Sequence, residues 1–158
     1  MGDSISAQDR GTMGLDLGDR FSQLCGLDGS GTVVEEGRVA TTPKALRARF
    51  EGGSPVRIVL EAGTHSPWVS RLLGELGHEV IVANPRKVAL ISGNETKTDR
   101  ADAHTLARLG RVDASLLHPI QHRSAQTLAD RAVLRARDVL VRLRTQTINA
   151  VRGTLKTA

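Results

Sequence analysis

The feature that most constrains the fold of this chain is a pair of short apolar runs separated by a helical pattern. Residues 56–60 and 78–83 are runs of the kind found in buried strands, and residues 67–76 between them carry apolar side chains at helical spacing up to Gly77. A strand, a helix and a second strand in close succession form a βαβ unit, whose two strands run parallel. The sequence therefore predicts an α/β protein with a partly parallel sheet.

The preceding part of the chain shows short strand-like runs separated by turn residues. Residues 12–17 and 21–27 are largely apolar, and the turn sequence DGSG at 28–31 separates the second run from residues 32–40. These runs predict two or three antiparallel strands, with a hairpin at the DGSG turn. The expected fold is thus a mixed sheet, antiparallel first and parallel afterwards, with flanking helices.

The last third of the chain is expected to be mainly helical. Thr98 can cap a helix over residues 99–111, and Ser124 can cap a final helix that reaches the last residues. Small and apolar residues recur in this final helix at alternating intervals of four and three, the spacing of a coiled coil: Ala129, Val133, Ala136, Leu140, Leu143, Thr147, Ala150 and Thr154. Residues 123–158 therefore predict a coiled-coil-type helix, and residues 1–11, which are polar and without periodicity, predict a flexible leader.

The net charge of +5 is concentrated in the final helix. Residues 123–158 hold eight basic and two acidic side chains, a net charge of +6, whereas the preceding 122 residues have a net charge of −1. Eighteen of the 22 basic residues are Arg, which can contact a phosphate through two hydrogen bonds. We therefore expect Arg131, Arg135 and Arg142 to bind the backbone of RNA or DNA, the alternative being a solvated helix face.

Composition excludes several other classes of protein. No apolar run approaches the roughly 18 residues that a membrane-spanning helix needs, so no membrane partner is expected. The single cysteine excludes an internal disulfide and a Cys-based metal site, which makes the cytoplasm the default location. Only three aromatic residues are present, too few for a protein that stacks successive bases on aromatic rings.

Four carboxylates stand in positions that suggest a metal site. Asp16 interrupts an apolar strand, Glu61 follows the strongest predicted strand, and the pair Asp99 and Asp102 shares one face of a helix. Carboxylate oxygens select Mg²⁺ or Mn²⁺ over zinc, and two such ions about 4 Å apart would clamp the attacking and leaving oxygens of a phosphodiester. The ordinary alternatives are a structural Asp in a strand, a solvated Glu at a strand end and an acidic pair favoured by the helix dipole.

Five motifs, in order and at matching spacing, resemble those of one known family. They are GLDLG at 14–18, LEAGTH at 60–65, GHEV at 77–80, ANPRKV at 83–88 and KTDRADA at 97–103, of which the last is the most specific. Together they resemble the N-terminal domain of the insertion-sequence transposases that carry an Asp-Glu-Asp-Asp tetrad. The resemblance covers about residues 13–117 and implies an RNase H-like fold, similar to that of the Holliday-junction resolvase RuvC.

The resemblance also implies a function and a set of site residues. It makes residues 12–117 a RuvC-like catalytic domain in which Mg²⁺ or Mn²⁺ is bound by the tetrad Asp16, Glu61, Asp99 and Asp102. It implies a DNA transposase or recombinase that is guided by a structured RNA, and the apolar stripe of the final helix predicts a homo-oligomer. Family members also carry a C-terminal domain with a nucleophilic serine. The chain ends before such a domain, so we expect it to be part of a longer protein and not competent alone for full strand exchange.

For three residues the sequence allows a functional and an ordinary role, and for the whole chain it allows two alternative functions. Lys97 and Arg100 flank the acidic pair and could contact phosphates of the scissile strand, or they could only balance charge. His65 could position a phosphate or a water near the metals, or be a polar loop residue. Residues 16–19 and the hairpin after them also resemble the first phosphate loop of sugar-kinase and actin-like ATPases. The remaining alternative is a non-catalytic module for nucleic-acid binding or dimerisation, with inert carboxylates.

Overall fold

The computed structural model describes residues 11–92 and 99–157. Along these residues the secondary structure elements are β1 (Thr12–Asp16), β2 (Phe21–Leu27), β3 (Val33–Ala40), α1 (Pro43–Phe50), β4 (Arg57–Glu61), α2 (Ser66–Glu75), β5 (Glu79–Ala83), α3 (Pro85–Ser92), α4 (Asp99–Val112), a 3₁₀ helix (Ala114–Leu117) and α5 (Ala125–Thr157). The chain divides into two compact units, residues 1–121 and 122–158. The predicted cap Thr98 and all but the last residue of the predicted leader lie outside the described residues.

The five strands form one mixed sheet in the order β3-β2-β1-β4-β5. β2 pairs antiparallel with both β1 and β3, whereas β4 pairs parallel with both β1 and β5. The hairpin between β2 and β3 is closed by Asp28, whose carboxylate accepts hydrogen bonds from the backbone nitrogens of Ser30 and Thr32, each at 2.9 Å. The predicted α/β fold, a mixed sheet with flanking helices, is confirmed.

One face of the sheet packs on α1 and α2. α1 begins at Pro43, directly after Thr42, and a capping Thr followed by Pro is the sequence that predicts a helix start. The Thr42 hydroxyl accepts a hydrogen bond from the Ala45 backbone nitrogen at 3.2 Å. The buried cluster on this face consists of Met13, Leu15, Leu24, Leu46, Phe50, Ile58, Leu60, Val69, Leu72, Leu73 and Val82. Because side chains alternate along a strand, the intervening residues of β1 and β4 face the other side of the sheet.

α4 covers that other side. Ala103 and Ala107 of the helix pack against Cys25 and Leu27 of β2. Cys25 is fully buried, as its place in an apolar strand predicts, and this burial raises the pKa of its thiol. A second cluster on this face consists of Val59, Ile81, Ala83, Val88, Leu106 and Leu117. The small side chains of Ala103, Ala107 and Cys25 let α4 lie close to the centre of the sheet.

Two short elements between β5 and α5 are not evident from the sequence. α3 has eight residues and the 3₁₀ helix has four. Asp113 stabilises the start of the 3₁₀ helix by accepting a hydrogen bond from the Ser115 backbone nitrogen at 2.8 Å. Segments of this length are too short to show a helical repeat of apolar residues, so they are predicted only where a start signal is unambiguous, as Thr42 and Pro43 are for α1.

α5 is a continuous helix of 33 residues. The Ser124 hydroxyl accepts a hydrogen bond from the Thr127 backbone nitrogen at 3.2 Å, which confirms the predicted cap. The long C-terminal helix is therefore confirmed, while its pairing into a coiled coil stays a prediction. Of the helices that the structure describes, none combines the length and the apolar character needed to cross a membrane.

Candidate functional site

Asp16 and Glu61 stand at the ends of two neighbouring parallel strands. β1 ends at Asp16 and β4 ends at Glu61, and the residues just before them, Leu15 and Leu60, are paired. Residues at equivalent positions of adjacent strands lie about 5 Å apart and project from the same face. The two acidic residues are therefore neighbours at one end of the sheet, which we call the carboxyl edge because β1 and β4 finish there.

A glycine in β1 allows α4 to lie directly on the strand that carries Asp16. A methyl group at Gly14 would overlap the Ala103 carbonyl oxygen and lie 2.6 Å from the Ala107 backbone nitrogen. Both atoms belong to the backbone of α4, so the helix could make room only by moving off the sheet. Positions 14 and 16 project from the same face of β1. Asp16 therefore projects from the face of the sheet on which α4 lies.

α4 runs in the direction opposite to β1. Ala103 lies over Gly14, whereas a methyl group at Gly110, seven residues further along the helix, would lie 3.7 Å from the side chain of Thr12. Moving along α4 thus corresponds to moving backwards along β1. It follows that the first turn of α4 lies toward the carboxyl edge of the sheet.

The other two predicted metal ligands belong to this first turn. Asp99 is exposed and Asp102 is half-buried, as Asp16 and Glu61 also are. Two strand ends and one helix start thus bring the four predicted carboxylates to the same end of the sheet. Within residues 11–92 and 99–157, no group of three or more His, Cys, Asp or Glu side chains is assembled in a way that could hold a metal ion. The tetrad therefore stays a prediction, supported by the placement of its elements.

Arg100, which the sequence suggests as a phosphate contact, is paired with a carboxylate of the sheet. Its Nε donates a hydrogen bond to Glu36 Oε1 at 3.2 Å, and its Nη2 donates to Glu36 Oε2. The Nε2 atom of His104, one turn along α4, contacts the same Oε1. Hydrogen bonds from Arg100 and then His104 hold the pKa of Glu36 below its usual value. Lys97, the other predicted contact beside the acidic pair, lies outside the described residues.

His65 immediately precedes α2 and has two polar partners. Trp68 Nε1 donates a hydrogen bond to His65 Nδ1 at 3.2 Å, and His65 Nε2 lies 3.4 Å from Asp19 Oδ1. Because Nδ1 accepts, a neutral His65 carries its proton on Nε2, the nitrogen that faces Asp19. Trp68 thereby orients the ring toward the loop that follows β1. A role for His65 in positioning a phosphate or a water stays a prediction.

A group of polar residues on β2 and β3 also belongs to this end of the sheet, and sequence reasoning missed it. Gln23 pairs with Asp16, and Arg38 pairs with Gln23 on its other side. The guanidinium carbon of Arg38 lies 4.8 Å from the centre of the exposed Phe21 ring. A cavity of about 330 Å³ beside them is lined by Gln23, Leu24, Glu36, Gly37, Arg38 and Arg100. These residues carry no local motif, and only the strand register places Gln23 beside Asp16 and Arg38 one strand further away.

The predicted nucleic-acid contacts of α5 are all exposed. Arg131, Arg135 and Arg142 follow one another at intervals of four and seven residues, which places them within about 40° of one another around the helix axis. Val133 and Leu140 project from the opposite side of the helix at this geometry. The basic stripe and the apolar stripe of α5 are therefore separate surfaces.

The apolar surface of α5 is broader than the sequence analysis predicts. Val133, Leu140 and Leu143 of the predicted heptad series are 70%, 66% and 52% exposed. A second series at intervals of seven residues is also exposed, and it consists of Leu134, Val141, Ile148 and Leu155. The predicted heptad spacing includes the first series and leaves out the second. The full width of the apolar surface is therefore evident only from the exposure of the side chains in the structure.

The chain is similar to a curated transposase over nearly its whole length. It is 29% identical over 157 residues to the transposase for insertion sequence element IS1111A of Coxiella burnetii, and the match covers 96% of this chain and 40% of that protein. The chain thus spans less than half the length of this relative.

Two solved structures are similar to part of the chain, and a family model matches most of the sequence. The RuvC of T. thermophilus in complex with a Holliday junction substrate is 16% identical with a TM-score of 0.45, over 65% of this chain and 97% of that one. A further Thermus thermophilus RuvC structure is 16% identical with a TM-score of 0.44, over 61% of this chain and 90% of that one. The model of the IS110-type DEDD family, described as a transposase, matches residues 13–158. The chain therefore belongs to the IS110-type DEDD transposase family.

Proposed function

We propose that this chain is the RuvC-like catalytic part of a DNA transposase, with metal-dependent phosphodiester chemistry carried out by residues 12–117. The observation that carries the proposal is the meeting of β1, β4 and the first turn of α4 at the carboxyl edge. Each of these elements contributes acidic residues of the tetrad, namely Asp16, Glu61, Asp99 and Asp102. Strand exchange as a whole is attributed to a longer protein, since the chain covers 40% of the IS1111A transposase.

The residues at the carboxyl edge fit Mg²⁺ or Mn²⁺ by their chemistry. All four are carboxylates, and these hard divalent ions take oxygen ligands. Asp16 and Glu61 are held on paired strands, while Asp99 and Asp102 lie three residues apart on one side of a helix. When bound, a pair of such ions stabilises both the attacking and the leaving oxygens of a phosphodiester displacement. The contribution of the chain is to hold the carboxylates at one edge and to align the DNA phosphate with them.

Titration of the metal-free chain with Mn²⁺ tests the proposal directly. Saturable binding is expected in calorimetry, together with a rise in melting temperature, because an ion that binds only the folded state stabilises it by about 2.7 kcal/mol at a concentration of 100 Kd. Potassium chloride at matched ionic strength is the control for non-specific screening. A melting temperature that responds equally to K⁺ and Mn²⁺, without saturable heat, would contradict a metal site.

We further propose that α5 binds the backbone of a structured guide RNA through its basic stripe. Arg131, Arg135 and Arg142 share one side of the helix, and the described residues of α5 carry two acidic side chains, Asp130 and Asp138. Guanidinium groups form two parallel hydrogen bonds with phosphates, and neutralising phosphates releases bound counterions. Binding through this stripe should therefore weaken steeply as the salt concentration rises.

Changing Arg131, Arg135 and Arg142 together to Gln is expected to weaken RNA binding. The slope of log K against log salt concentration should become shallower by roughly 2 to 3, because about one counterion is released for each phosphate contact. Fluorescence anisotropy at several salt concentrations measures both quantities. A matched control removes the same charge outside α5 by changing the exposed residues Lys44, Arg71 and Arg86 to Gln. Equal losses in the two variants would show that net charge, and not the stripe, governs binding.

We infer that the apolar surface of α5 is covered by a second copy of the chain. Two series of apolar residues at intervals of seven, among them Val133, Leu140, Leu134 and Val141, are the pattern that similar helices bury against one another. At 1.5 Å per residue the 33-residue helix is about 50 Å long, which allows several heptads to contribute. Arg131, Arg135 and Arg142 project from the side opposite Val133 and Leu140, whereas Arg137 and Arg144 project between the two apolar series. The mass of the chain in light scattering is expected to be at least that of a dimer.

A further inference from the structure

We propose that Glu36 is a positioning residue for the acidic pair of α4. Glu36 belongs to β3 and is separated from β1 by β2. Its role would be to hold the first turn of α4, and with it Asp99 and Asp102, in the orientation that metal binding requires. This inference rests on the proposed metal site at the carboxyl edge and assigns a function to a residue outside the tetrad.

The contacts of Glu36 lie on both sides of Asp102 along α4. Arg100 follows Asp99 directly, and His104 comes two residues after Asp102. Arg100 and His104 are four residues apart, so they project from the same side of the helix, one turn from each other. Both contact the same Glu36 carboxylate, Arg100 through both oxygens and His104 through Oε1. A single side chain of the sheet therefore holds the turn that carries both acidic residues.

The place of Glu36 in the sheet explains why it reaches this turn. Glu36 pairs with Cys25, and Cys25 pairs with Gly14, so the three residues form one row across β3, β2 and β1. Ala103, which is 1% exposed, packs on this row at Cys25 and Gly14. The contact at Ala103 sets the distance between helix and sheet. The side chains that contact Glu36 extend away from the helix axis. Because a bidentate Arg–carboxylate pair has a defined geometry, these contacts set the rotation of the first turn about that axis.

The effect expected of Glu36 differs from that of an ordinary surface ion pair. Exposed pairs contribute about 1 kcal/mol or less to folding stability. Residues that orient metal ligands, in contrast, typically change metal affinity by ten- to a hundredfold when they are removed. A matched comparison is available on the same strand: Glu35 pairs with Arg49 of α1 on the opposite face of the sheet. The side chain of Glu35 is 40% exposed and that of Glu36 is 29% exposed.

The test measures the Kd for Mn²⁺ by calorimetry in the full chain, at a temperature at which all variants are folded. Glu36→Gln is expected to raise the Kd roughly ten- to a hundredfold, whereas Glu35→Gln leaves it unchanged. The melting temperatures of these two variants in EDTA are expected to be similar. The Kd for Mn²⁺ is therefore the measurement that a merely structural role of Glu36 would leave unchanged. Arg100→Gln should raise the Kd as well, and the double variant Glu36→Gln/Arg100→Gln should add little, because the two residues act as one unit.

The outcomes separate this inference from the metal site on which it rests. An unchanged Kd in Glu36→Gln, with binding lost in Asp102→Asn, would overturn the positioning role alone. Binding that persists in Asp102→Asn would overturn the metal site itself. If Glu36→Gln does not fold, Arg100→Gln and His104→Gln remove the same contacts from the helix side. A raised Kd in these variants supports the role of Glu36, and an unchanged Kd in both overturns it.

Discussion

Changing Gly14 to Ala is expected to lower the free energy of unfolding by roughly 3 kcal/mol or more. The added methyl group would overlap the Ala103 carbonyl oxygen and lie 2.6 Å from the Ala107 backbone nitrogen. These atoms belong to a helix backbone and cannot rotate away as a side chain can. α4 must therefore lift from β1, which would uncover the buried Cys25 and Leu27. At roughly 4 °C or more per kcal/mol for a domain of about 100 residues, the melting temperature should fall by about 10 °C or more in circular dichroism.

Gly74→Ala is the control for this prediction. Gly74 lies in α2, and a methyl group there would have no neighbour within 4 Å among the described residues outside the local helix backbone. Ala is favoured over Gly in a helix by about 0.8–1.0 kcal/mol, so the melting temperature should stay the same or rise. If Gly14→Ala melted like the unaltered chain, α4 would not lie directly on β1. The proposed approach of the acidic pair to Asp16 would then lose its structural support.

Changing Asp16 to Asn is expected to raise the Kd for Mn²⁺ at least about a hundredfold. Asn keeps the shape of the side chain but removes its charge and one of its oxygen donors, and both contribute to binding a hard divalent ion. A hundredfold change corresponds to about 2.7 kcal/mol of binding free energy. Calorimetric titration of the metal-free variant measures this change.

The stability of the Asp16→Asn variant separates a lost ligand from a damaged fold. The Kd is therefore compared at a temperature at which circular dichroism in EDTA shows both the variant and the unaltered chain folded. Asp138→Asn makes the same chemical change on the exposed surface of α5 and should leave both the Kd and the melting temperature unchanged. Unaltered Mn²⁺ binding by Asp16→Asn would exclude Asp16 from the metal site.

Most of the fold could be predicted because its signals are local. The βαβ unit of β4, α2 and β5 follows from two apolar runs around a helical pattern, and the hairpin of β2 and β3 follows from the turn at Asp28. The caps Thr42 and Ser124 act within three residues of the groups they bind. α3 is not predicted although it has the same length as α1, because Asn84 and Pro85 are equally typical of the turn that ends a strand. Hydrogen bonds and apolar spacing over a few residues are thus sufficient for elements of ordinary length.

The candidate site was only partly accessible from the sequence. Residue type, position at strand ends and the family resemblance point to Asp16, Glu61, Asp99 and Asp102. They do not point to Glu36, because its partners Arg100 and His104 are 64 and 68 residues away in the chain. The same holds for Arg38 and Gln23, since their relation to Asp16 depends on strand register. A sequence pattern within one segment cannot relate residues that are this far apart in the chain.

Local chemistry therefore accounts for the mixed sheet, the long basic helix and the choice of four acidic residues. Packing in three dimensions accounts for the rest: α4 lies on β1 because Gly14 leaves room for its backbone, and its first turn is held from β3 by Glu36. The difference has a physical reason. Turns, caps and apolar periodicity act between residues that are close along the chain, whereas a site built from two strand ends and a helix start depends on contacts that form only when the sheet and α4 come together.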